Sequence, residues 1–114
     1  MPEPRHLGSE FENRAADYLL TLGWTLLGRR LKMPHGEIDI VAMDGDVLVI
    51  VEVKARARGS AIESLTPRKA GHLLQAADEF VEKFGLQCET PVRFDAILFE
   101  ADRMTHHRDI LRTS

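Results

Sequence analysis

The chain predicts an α/β fold in which helices flank a mixed central sheet. Three features lead there: two segments with apolar residues at helical spacing, a hairpin-like pair of apolar runs between them, and another apolar run after the second helix. A helix interposed between two strands normally makes them parallel neighbours, and the order reads α-β-β-β-α-β. A single domain, 1–114, accommodates all of it, with residues 1–8 and 103–114 expected to be peripheral or flexible.

Residues 10–22 carry Phe11, Ala15, Tyr18, Leu19 and Leu22 at helical spacing. Ser9, with Glu12 three residues on, forms a capping-box pattern that predicts the helix start, and Gly23 predicts its stop. WTLLGRRL, residues 24–31, predicts a first strand. Residues 37–43 and 46–54 predict a hairpin, with Asp44-Gly45 suited to a type I′ turn. ARGSAIES reads as loop. Thr66 as cap and Pro67 as first residue open a second helix, whose apolar positions Leu73, Ala76, Ala77, Phe80 and Phe84 run up to Gly85. PVRFDAILFE predicts another strand, and HHRDILRTS a short edge strand or tail. His106-His107 reads as solvent-exposed, at most an adventitious metal site.

The totals exclude several classes of function. A single cysteine, Cys88, leaves no internal disulfide and no zinc site built on two thiolates. The N-terminal residues hold charges but no apolar core of a signal peptide, and the longest apolar run, Val47 to Val51, is far too short for a membrane span. A cytoplasmic protein without a membrane partner is the expectation. The net charge is -3, yet from Arg29 to Lys69 eight basic residues face six acidic ones. Three of those six are Glu37, Asp39 and Glu52; without them the segment is a basic collar. Solvated surface charge is the plainer account of that imbalance.

The hairpin carries the chemistry. If Asp44 and Gly45 form its loop, Met43 opposes Asp46, Asp39 faces Ile50, and Glu52 faces Glu37. Opposed residues share a face, as do residues two apart, so Asp39, Glu52 and Lys54 lie together. Asp39 and Glu52 are then diagonal neighbours, roughly 7–8 Å apart, able to converge on one divalent cation. A three-residue loop would break this parity. Like charges in an apolar sheet need compensation; Lys54 supplies one positive charge and a magnesium-like ion would supply two. A structural Asp/Glu/Lys cluster is the simpler alternative. Glu12 lies beside the apolar face of the first helix and offers either the capping role or a third carboxylate reaching the sheet. Lys69 leads Leu73, Ala76 and Phe80 along one face of the second helix; an amphipathic stem at a helix start is its plainer role.

Asp39, then Glu52-Val53-Lys54, resembles the D…(D/E)-x-K core of the PD-(D/E)XK nuclease superfamily, which includes restriction endonucleases and archaeal Holliday-junction resolvases. A wider pattern is more specific: Glu12, Ala15, Leu19 and Gly23, then GEIDIVA at 36–42, VEVKAR at 51–56, LTPRK at 65–69 and RFD at 93–95. Together these resemble the YraN-type family of small bacterial proteins, from Glu12 to about Phe99. The resemblance implies a restriction-endonuclease-like core with Asp39, Glu52 and the Val53 carbonyl as ligands of Mg²⁺ or Mn²⁺. Lys54 would orient or deprotonate the attacking water, and Glu12 would match the helix-borne acid of the resolvase-like branch. Ile38 stands in place of the superfamily's proline, Ala55 in place of a threonine, and Arg30 where an asparagine is expected; the usual Asn-Ala-Phe-like ending is absent.

The function implied is metal-dependent phosphodiester hydrolysis, on DNA before RNA, with branched or repair intermediates as candidate substrates. Arg56 and Arg58 continue the Glu52/Lys54 parity and would grip the phosphate backbone; Arg29, Arg30, Lys32, Arg68 and Lys69 would widen the footprint. Resolvase-like chemistry would call for a homodimer. The rival reading is a non-catalytic nucleic-acid-binding or scaffold module that keeps the fold and its charges; a third is a structural protein whose acids are merely paired.

Overall fold

A computed structural model describes residues 6–34, 36–56, 67–86, 89–101 and 103–111, apart from the side chains of residues 6–9, 56 and 69. Helix α1 (His6–Thr21) is followed by strands β1 (Thr25–Met33), β2 (Gly36–Asp44) and β3 (Val47–Arg56), helix α2 (Pro67–Lys83), and strands β4 (Val92–Glu100) and β5 (Arg103–His107). One five-stranded sheet runs in the order β1-β2-β3-β4-β5. Among the described residues only the β3–β4 pairing is parallel, with Leu48 beside Val92 and Arg56 beside Glu100. The expected mixed α/β sheet is the observed one.

Both helices stop where glycine permits a left-handed residue. Gly23 (φ 85°) and Gly85 (φ 68°) take that conformation. Their caps are Schellman motifs: Trp24 N and Gly23 N donate to Leu19 O and Leu20 O, and Leu86 N and Gly85 N donate to Val81 O and Glu82 O. The start of α1 differs from expectation. The helix already includes His6, so Ser9 lies inside it and is not its cap. Pro67 does open α2; Thr66 lies outside the described residues.

Alternation along β3 divides the core. Val49 and Val51 pack with Ala15, Ala16 and Leu19 of α1. Leu48 and Ile50 pack with Leu73, Ala76, Ala77 and Phe80 of α2. By the same parity Glu52 and Lys54 point to the α2 side. On β2, Val41 belongs to the α2-side core and Ile40 and Ala42 to the α1 side, yet Ile38 joins the α2 side. The alternation therefore breaks at Asp39.

The hairpin register corrects the expectation above. Asp44 pairs with Val47 and Ile40 with Val51, so the two loop residues are Gly45 and Asp46. Gly45 has φ 61°, and Asp46 is not among the residues with positive φ, which fits type II′ and not type I′. A shift of two residues preserves parity, and continuing the pairing sets Asp39 directly opposite Glu52 instead of diagonal to it. Pairing ends at Ile40 and Val51, and beyond that step the two strands fork.

The C-terminal segment supplies a short edge strand, one of the two outcomes expected there, though it begins earlier, at Arg103. β5 closes one sheet edge, and Ile110 N donates to Phe94 O at 2.7 Å. His106 is not solvent-exposed: its side chain is 7% exposed and lies 2.8 Å from the fully buried Asp95. His107 is exposed.

Candidate active site

The fork between β2 and β3 leaves a main-chain amide to be satisfied. Val53 N lies one ladder step past Val51, and it donates to Asp39 Oδ2 at 2.8 Å. In an extended strand the carbonyl projects to the same side as the amide of its own residue, so Val53 O faces this gap too. Glu52 is buried, 5% exposed, and its carboxyl hydrogen-bonds with that of Asp39.

These groups open into a cleft of about 500 Å³ between the fork and α2. Gly36, Glu37, Asp39, Glu52, Val53 and Lys54 form its sheet wall; Arg68, His72, Leu73 and Ala76 form its helix wall. Burial pushes the Asp39 carboxyl up to about 8, the hydrogen bond and negative charge of Glu52 add to that rise, and the charge of Glu12 adds further. The Val53 amide works in the opposite direction and is outweighed.

Glu12 is buried but does not line the cleft. Its Oε1 lies 3.1 Å from Arg30 Nε and 3.7 Å from Arg29 Nη2. Arg30 is therefore committed to an acid and not to the cleft wall. Arg56 ends β3 and Lys69 lies in the first turn of α2, their side chains beyond the description; Arg58 lies outside the described residues. The fold thus gathers Asp39, Glu52, Val53 and Lys54 in one cleft, keeps Glu12 and Arg30 behind it, and adds Arg68 and His72 from α2. Sequence reasoning did not single out His72, although its spacing from Arg68 and Ala76 puts all three on one helical stripe.

A hard divalent cation fits the chemistry of this donor set. Two carboxylates that crowd each other, with a main-chain carbonyl facing the same gap, suit an ion that keeps several waters and uses one or two carboxylates. Among the described residues, no three His, Cys, Asp or Glu side chains are gathered to hold a metal, so Glu12 stands apart from the pair as arranged.

Asp95 anchors a second polar network away from the cleft. Arg93 donates to both of its oxygens at 3.0 and 3.1 Å, His106 Nε2 donates at 2.8 Å, and Asp109 N donates at 3.0 Å. Burial alone would raise the Asp95 pKa, but the hydrogen bonds from His106, Arg93 and Asp109 and the charge of Arg93 hold it below the usual carboxylate range. With Nε2 engaged, His106 Nδ1 is left to accept from the Tyr18 hydroxyl at 2.9 Å. Arg93 also reaches Asp44 at 3.1 Å and covers the ring of Trp24. The network ties α1, β2, β4 and β5 together.

A five-stranded mixed sheet flanked by two helices, with Asp39 and Glu52-Val53-Lys54 on adjacent strands, is compatible with a restriction-endonuclease-like core. The chain matches the Uncharacterised protein family UPF0102 over residues 11–99, and it belongs to that family, the YraN-type family of the motifs above. A UPF0102 protein of Dehalococcoides mccartyi is 32% identical over 113 residues, covering 96% of this chain and 93% of the relative. One from Thermodesulfovibrio yellowstonii is 40% identical, covering 88% and 90%, and one from Rhodopseudomonas palustris is 41% identical, covering 88% and 77%. No described helix is long and apolar enough to cross a membrane.

Proposed function

We propose that this protein is a metal-dependent endonuclease that hydrolyses phosphodiester bonds in DNA, with branched or repair intermediates as its substrates in the cytoplasm. The observation that carries the reading is the Asp39–Glu52 carboxyl pair at the strand fork, opening with Lys54 into a cleft walled by Arg68 and His72. Asp39, Glu52 and Val53 O would hold Mg²⁺ or Mn²⁺, which when bound supplies Lewis-acid polarisation of the phosphoryl oxygen and acidifies a bound water. Lys54 orients that water and offsets negative charge developing on the phosphoryl oxygens. Arg68 and His72 face the sheet across the cleft and hold the phosphate from the other side. Arg56, Arg58 and Lys69 extend the grip along the backbone. A homodimer would present two clefts to two strands of a branched substrate.

The test is a panel of branched, flapped and single-stranded DNA with Mg²⁺ or Mn²⁺. Cleavage by the wild type, lost in Glu52→Ala and Lys54→Ala, is the expected result. Binding without cleavage across the panel would favour a non-catalytic nucleic-acid-binding module.

A further inference from the structure

Arg30 has φ 51°, in the left-handed region, which arginine seldom occupies within a strand. The β1–β2 register runs from Arg29 with Ile40 to Leu31 with Ile38, which sets Arg30 opposite Asp39. Strained backbone persists where its surroundings fix it, and here the partner is Glu12. The Arg30 side chain is 33% exposed and that of Glu12 8%, with 3.1 Å between Nε and Oε1. One guanidinium thus joins a buried acid to solvent. Arg30 so links the two acids, opposite Asp39 in the strand register and at Glu12 with its side chain, and the Glu12 carboxylate is turned to arginine. Arg29 stands farther off and donates to Asn13.

We propose that Arg30 is a latch: it holds the Glu12 carboxylate away from the Asp39/Glu52 pair, and a phosphate that draws the guanidinium outward releases Glu12 to become a third oxygen ligand for the divalent cation. The latch rests on the metal-dependent reading above and adds regulation of the same site, since the fuller donor set forms only with a phosphodiester in place. Guanidinium suits the exchange because its planar fork binds phosphate as well as carboxylate. Glu12 would then keep only the more distant Arg29 guanidinium, 3.7 Å away, and burial makes so weakly paired an acid costly until another cation approaches. Arg30 is a positioning residue, acting through Glu12.

Calorimetry with Mn²⁺ alone tests the latch on wild type, Asp39→Asn, Arg30→Gly and Arg30→Gly/Glu12→Gln. Glycine accepts φ 51° without strain, and Arg30→Asn, which also tolerates it, serves if the glycine variant fails to fold. Arg30→Gly should bind Mn²⁺ about tenfold more tightly than wild type, and the double variant should lose that gain. Short phosphorothioate single-stranded DNA should tighten Mn²⁺ binding in wild type and have less effect on Arg30→Gly. If wild type binds Mn²⁺ through Asp39 and Arg30→Gly binds no better, the latch is overturned and the metal site stands. Equal tightening by DNA in both proteins, or none, also overturns it. Absence of Mn²⁺ binding in both wild type and Arg30→Gly overturns latch and metal site together.

Discussion

The Val53 amide donates to Asp39 Oδ2 at 2.8 Å, one step beyond the last β2–β3 pairing of Ile40 with Val51. A side-chain carboxylate there replaces a main-chain acceptor, so the strands can part without leaving a buried donor unpaired. The parting creates the cleft, and the residue that permits it is the first ligand of the proposed metal.

Asp39 makes metal binding and metal-free stability respond to pH in opposite ways. Its carboxyl, raised from 3.8 to about 8, keeps its proton in the folded state where the unfolded chain has lost it. Metal-free stability from this group is therefore fully present below pH 3.8 and falls as pH rises toward 8. Thermal melts of wild type should show that decline, and Asp39→Asn should flatten it. The cation needs the deprotonated form, so Mn²⁺ affinity should rise about tenfold per pH unit and level off above pH 8.

Lys54 should separate binding from turnover. Lys54→Ala should retain Mn²⁺ binding measured by calorimetry, while single-turnover cleavage falls roughly 10²- to 10³-fold. A variant that cleaves at the wild-type rate would remove Lys54 from the mechanism.

Arg68 on the helix wall should act through charge. Its exposed guanidinium makes a sequence-independent phosphate contact in the proposed complex. Arg68→Ala should weaken binding to every DNA in the panel alike and lower the slope of log affinity against log salt by about 1.

Asp95 should matter for folding and not for the cleft. It is fully buried with hydrogen bonds from Arg93, His106 and the Asp109 amide. Asp95→Ala leaves Arg93 without its main counter-charge and should cost about 3–5 kcal/mol in urea unfolding. Because its pKa is lowered, its stabilisation is present above its unfolded value of 3.8 and lost as pH falls through the folded value. The acid limb of the stability curve should be shallower in Asp95→Asn.

The element order as far as β4, at least one parallel pairing across the helical crossover, and the shared face of Asp39, Glu52 and Lys54 were legible without coordinates. They follow from periods of 2 and 3.6 residues, which are local properties of the chain. The hairpin loop was misplaced because Asp44-Gly45 and Gly45-Asp46 both satisfy local turn chemistry, and a two-residue shift leaves every side chain on the same face. His106 was misjudged because nothing near it in sequence reveals Asp95 and Tyr18, its partners at 2.8 and 2.9 Å.

What the sequence determined by itself is which groups share a face, because strand parity needs no knowledge of distance. Tertiary structure alone decided that Asp39 meets the Val53 amide and the Glu52 carboxyl where the strands fork, that Glu12 turns to Arg30, and that Arg68 and His72 complete the cleft. Those outcomes depend on where strands fork and how helices cross the sheet. Both are set by packing among residues far apart in the chain.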